Sequence, residues 1–113
     1  MIGVVDWDKI KRQAPKSLQL YTDWDVTKSG GMLIVNQRDL FDFFDEKDLI
    51  VQIIFEKGKF GFMIKSSYLE TDIINNDGFN DRIFAEVKAF ENCFYLLEAI
   101  FSSDQSKMLS TWN

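Results

Sequence analysis

The chain has 113 residues, of which 46% are hydrophobic and 15% aromatic, with eleven Phe and a single Pro. That composition excludes a disordered tail or linker. The formal charge is −5 and the pI ≈ 4.6, the wrong sign for direct nucleic-acid recognition, which needs clustered Lys and Arg to neutralise phosphates. No stretch reaches the roughly 18 consecutive apolar residues of a membrane span. The start, MIGVVDWDKIK, lacks the basic n-region and the apolar run of a signal peptide.

A chain of this size buries roughly two thirds of its unfolded surface, enough for a core without a metal or disulfide staple. One domain covering residues 1–113 is therefore expected. Cys93 is the sole cysteine and sits among apolar residues. It reads as a buried thiol in a reduced, cytoplasmic setting.

In chain order, Asp6 is the expected N-cap of a helix carrying Trp7, Ile10 and Ala14. Pro15 lacks an N–H and clashes with the preceding turn, so it ends or kinks that helix, or else opens a second one carrying Leu18, Tyr21 and Trp24. Two short helical pieces are favoured over one straight helix. Ser29-Gly30-Gly31 is a turn or loop without the pattern of a phosphate cradle. Met32–Val35 is an apolar run too short to separate strand from helix. Asn36 is expected to cap a helix over 37–46, with Leu40, Phe41 and Phe44 facing inward and Phe43 between the two faces, partly exposed.

The clearest element follows. Val51, Ile53 and Phe55 alternate along one strand, and Phe60, Phe62 and Ile64 along a second, with Lys57-Gly58 between them. That is a β-hairpin over about 50–66, and Gly58 supplies the positive φ its turn requires. Residues 67–80 mix apolar Tyr68, Leu69, Ile73 and Ile74 with the turn-forming Asn75-Asn76-Asp77-Gly78. This stretch predicts a partly ordered excursion containing a short third strand at most. From Asn80 or Asp81, the residues Ile83, Val87, Phe90, Phe94, Leu97 and Phe101 recur at helical spacing, widened by Phe84, Cys93 and Ile100. They predict an amphipathic helix over about 81–102 that lies on a sheet. Ser102–Asn113 trails off, with Met108, Leu109 and Trp112 folding back. The class is α+β: a small antiparallel sheet covered by the C-terminal helix and shorter N-terminal helices.

The chain contains no His, which removes the usual general base and the commonest metal ligand. No P-loop or EF-hand pattern is present, and no cofactor is expected. An enzyme would have to work with carboxylates alone, with Mg²⁺ held by Asp72 and Asp77, and is the least favoured class. The densest carboxylates are Asp39, Asp42, Asp45, Glu46 and Asp48. Their bland reading is a solvated helical face; the sharper one is a recognition surface for a basic partner. Trp24 joins that candidate surface because exposed Trp residues often anchor interfaces.

The order of RDLFDFFDEKDL, IVQIIFEKGKFGFMI, a polar loop and DRIFAEVKAFENCFYLLEAIF resembles small uncharacterised helix–hairpin–helix proteins of phages and mobile elements of gut Bacteroidetes. The resemblance covers about residues 37–101 and is densest over Arg82–Leu97. It implies a small accessory protein and no activity. The sequence thus points to a non-enzymatic protein–protein interaction or accessory module. An inhibitor that presents acidic residues to a basic nucleic-acid-acting protein is the alternative. The expected partner is a protein, with a second copy of the chain as one candidate.

Overall fold

The computed structural model describes residues 5–29 and 37–112. The fold is α+β. Helices α1 (Trp7–Gln13), α2 (Pro15–Ser29) and α3 (Gln37–Glu46) precede strands β1 (Ile50–Glu56), β2 (Lys59–Lys65) and β3 (Ile73–Phe79), and α4 (Arg82–Trp112) closes the chain. Gly30-Gly31, Met32–Val35 and Asn36 lie outside the described residues, and with them the short run left open between strand and helix and the cap expected at Asn36.

The N-terminal helices form as two pieces. Asp6 accepts the Lys9 N–H at 3.1 Å as N-cap, and Ala14 breaks the helix at φ −140°. Pro15 then opens α2, where its missing N–H is one that no helical carbonyl would have received. The start of α2 is capped from far away. Glu98 of α4 accepts the Ser17 N–H at 2.8 Å, and the Ser17 hydroxyl donates to the Phe94 carbonyl at 3.0 Å. These bonds fix α2 against α4.

The three strands form one antiparallel sheet in the order β1-β2-β3. The pairs Val51↔Ile64, Ile53↔Phe62 and Phe55↔Phe60 put both alternating sets on one face. That face is buried where α4 crosses it, at Val51, Phe62 and Ile64. It is wet at the hairpin tip, where Phe55 is 63% exposed. Both turn residues, Lys57 and Gly58, have positive φ, as the tight hairpin turn matching strand twist requires. On the opposite face Ile54 and Met63 are half-buried and Ile74 is exposed.

The excursion after the hairpin contains the third strand, β3, preceded by turns and bends over residues 66–72. In β3 the turn-like residues Asn75 to Gly78 form a bulge: Phe60 pairs Phe79 and Phe62 pairs Asn75. Two partner positions on β2 are thus matched by a longer run on β3, and Gly78 takes φ +82°. Gly61 permits the approach, because a Cβ there would lie 2.4 Å from the Asn75 carbonyl oxygen.

Helix α4 is longer than expected, since its backbone stays helical through Trp112. Nothing after Arg82 is Gly or Pro, so no residue stops it. The backbone at Met108, Leu109 and Trp112 continues the helix and does not fold back; their side chains lie outside the described ones. Val87, Phe90, Cys93, Phe94 and Leu97 are buried as the spacing predicts. Ile83 is 53% exposed, because the first turn is met on the side of Phe84, which packs on Phe79 at 5.4 Å. Glu86 and Glu91 are buried, with Arg82 Nε at 3.1 Å and Lys88 Nζ at 3.6 Å as their ion partners. Phe43 is also a correction: it is fully buried, between Tyr21 and Trp24 of α2 and Phe44, while Phe41 is half-buried.

Candidate functional site

Helix α2 meets α3 through aromatic rings. Tyr21 lies edge-on to Phe43 at 5.1 Å, Trp24 to Phe43 at 5.6 Å, and Tyr21 stacks on both Trp7 and Trp24. Offset and edge-to-face ring pairs of this kind contribute about 0.5–1.5 kcal/mol each beyond their buried area. The contact brings Trp24 beside the acidic side of α3.

There, Trp24, Asp39, Asp42, Asp45 and Glu46 line a cleft of ≈ 420 Å³. The Trp24 indole N–H donates to Glu46 Oε2, which holds the ring edge against α3. Arg38 Nε approaches Asp42 Oδ1 at 4.0 Å on the open surface, a pair worth well under about 1 kcal/mol in water. Asp45 is exposed, yet its carboxyl sits above the ordinary carboxylate range. Partial burial is the larger cause and the neighbouring Asp42 charge the next, with Arg38 opposing them. One turn of helix sets Asp42 and Asp45 side by side, so each resists the other's ionisation.

Beneath the cleft lies Tyr21, 2% exposed, whose hydroxyl has no hydrogen-bond partner among the described residues. Burial first, then the charges of Asp25 and Asp39, hold that phenol protonated far above its usual range. The negative potential therefore extends from α3 into the C-terminal half of α2. Asp25, itself buried, is a contributor that sequence reasoning missed. Its signal was the spacing of Tyr21, Trp24 and Asp25, which puts all three on one side of α2.

Of the six residues singled out from sequence, five meet in this cleft. Asp48 does not. It turns the chain at φ 63°, and its Oδ2 accepts both the Ser67 N–H, at 3.1 Å, and the Ser67 hydroxyl. Asp48 thereby ties the α3–β1 turn to the end of β2, a structural task.

The other candidates for chemistry settle into the fold. Cys93 is fully buried and burial pushes its thiol far up, so it is a poor nucleophile. Among the described residues, no three Cys, Asp or Glu side chains converge on a metal position. Asp72 is exposed just ahead of β3, and the Asp77 side chain lies outside the described ones. Gly58 and Gly61 serve the hairpin turn and the β2–β3 approach. Trp7 packs on Tyr21 and Phe94, covering the core. No helix among the described residues is long and apolar enough to cross a membrane. Comparison with known protein families, curated proteins and solved structures gives no match.

Proposed function

We propose that this chain is a non-enzymatic protein-binding module whose Trp24 cleft docks a cationic segment of a protein partner. The observation that carries the reading is the convergence of one Trp and four carboxylates from two helices on a single cleft. An ammonium or guanidinium group placed there meets several carboxylates at once and an indole beside them. It also relieves the repulsion from Asp42 that, after partial burial, lifts the Asp45 carboxyl. An accessory role in a mobile element belongs to the same reading and rests on the resemblance over about residues 37–101. A cytoplasmic setting belongs to the same reading. The inhibitor of a basic nucleic-acid-acting protein uses the same surface against a particular class of target.

The test is calorimetric titration with a Lys- and Arg-rich peptide at about 50 mM and about 500 mM salt, between which the screening length falls severalfold. Binding that weakens at least about tenfold at high salt, and is lost in a D42N/D45N variant, is expected for a few exposed charge contacts. Absence of binding, or affinity indifferent to salt and to those substitutions, refutes the cleft as a docking site.

A further inference from the structure

Opposite charge gathers at the other end of α2. Residues 9–16, KIKRQAPK, carry four cations and no carboxylate. They span the last turns of α1, the Ala14 corner and the start of α2. Two of the four are steadied over rings, with Lys9 Nζ 5.9 Å from the Tyr95 centroid and Lys16 Nζ 5.7 Å from that of Phe101. Lys11 and Arg12 are exposed and pair with no carboxylate among the described residues. Trp24 lies about 13 Å further along α2 than Pro15, at the helical rise. On the solvent side of α2, Gln19, Asp23 and Val26 are exposed at helical spacing, with Gln19 bonded to Asp23.

One helix therefore separates a cationic corner from an anionic cleft. A half-turn relating two such helices, side by side and antiparallel, would bring the cationic end of each beside the anionic end of the other. The cleft's own cation, Arg38, is outnumbered by the four carboxylates of Asp39, Asp42, Asp45 and Glu46; two further cations from a second chain reduce that excess to a single negative charge.

We propose that a partner of the Trp24 cleft is a second copy of this chain, docked as a two-fold dimer in which Lys11 and Arg12 of each protomer meet Asp42 and Asp45 of the other. The proposal rests on the cleft reading above and narrows it to one ligand. Occupation by the second copy excludes any other basic partner from the same cleft, so self-association and partner capture compete.

Sedimentation equilibrium of the full chain tests it, at low and high salt and submillimolar concentration. The expected result is twice the 13.2 kDa chain mass at low salt and the single mass at high salt. The charge-reversed variants K11E/R12E and D42K/D45K should each sediment as monomers, and an equimolar mixture of the two should regain the dimer. Circular dichroism confirms that each variant is folded; K11Q/R12Q and D42N/D45N replace any that is not, and both should be monomeric. A wild-type chain that stays monomeric at low salt overturns the proposal. So does a mixture of reversed variants that fails to associate, or a mass that climbs past the dimer. The peptide titration separates the two readings: a monomer that still binds the basic peptide refutes the dimer alone, whereas loss of both refutes the cleft.

Discussion

Gly61→Ala is the substitution whose effect the geometry defines most sharply. Gly61 is not held at positive φ, so an Ala there would ordinarily stabilise the protein by about 0.4–1 kcal/mol by restricting the unfolded chain. The folded state reverses the sign. The new Cβ would sit 2.4 Å from the Asn75 carbonyl oxygen and 3.3 Å from Asn76 Oδ1. The first of these is backbone, so β3 must retreat by about 1 Å to reach ordinary contact, straining the pairing on both sides of the bulge. Overpacking of this kind costs about 1–3 kcal/mol or more, and the net expectation is a loss of about 1–3 kcal/mol. With a urea m-value of about 1.5 kcal/mol/M for a chain this size, the midpoint should fall by about 1 M. Gly58→Ala is the control. Its Cβ would meet nothing within 4 Å, but its φ is +78°, a conformation costing an L residue about 1–2 kcal/mol and offset in part by the same unfolded-state gain. Urea titration should rank Gly61→Ala as the more damaging of the two. A Gly61→Ala midpoint equal to or above the wild-type value would refute the close approach of β3 to β2.

Two other expectations follow from single contacts. Glu98→Ala removes the carboxylate that caps α2 at Ser17, and should cost about 1–2 kcal/mol, lowering the melting temperature by about 4–8 °C; Glu98→Gln keeps an acceptor oxygen and should lose less, and equal melting of all three proteins would show that the cap carries no stability. For Asp45, a carboxyl raised in the folded state holds its proton more tightly there than in the unfolded chain, so stability falls as pH rises from the ordinary carboxylate range through the raised value. Asp45→Asn should therefore melt above wild type at neutral pH, with the gap closing in acid and in high salt; a gap of the opposite sign at neutral pH would contradict the crowding of Asp42 and Asp45.

The hairpin and the buried middle of α4 could be read from sequence because each is specified locally. The alternation of Val51, Ile53 and Phe55 against Phe60, Phe62 and Ile64 admits one register, and a one-residue slip would expose every buried member. The extent of the third strand was hidden because Asn75-Asn76-Asp77-Gly78 is turn chemistry. Pairing with β2 overrides that preference and spends those residues on a bulge, with Gly78 in the left-handed region. Which of Phe41 and Phe43 is buried depends on where α2 docks, a tertiary fact with no local signal. The site was half legible. The acidic run was plain, but Trp24 and Glu46 are 22 positions apart, and only the docking of α2 on α3, through Tyr21, Trp24 and Phe43, joins them. Asp48 looked like a member of the run, and only its backbone angle and its bonds to Ser67 show otherwise.

The bonds from Ser17 to α4 reach across 81 and 77 positions of chain. At ordinary synthesis rates of about 5–20 residues per second, Ser17 exists for roughly 4–16 s before Glu98 does. Until Phe94 is made, Trp7 and Tyr21 lack the α4 ring they pack against, although Phe43 of α3 is already available to Tyr21 and Trp24. The β1–β2 hairpin, closed by the two residues Lys57 and Gly58, needs nothing from the far end of the chain to pair. The bonds that fix the start of α2 to α4 are therefore among the last that the growing chain can make.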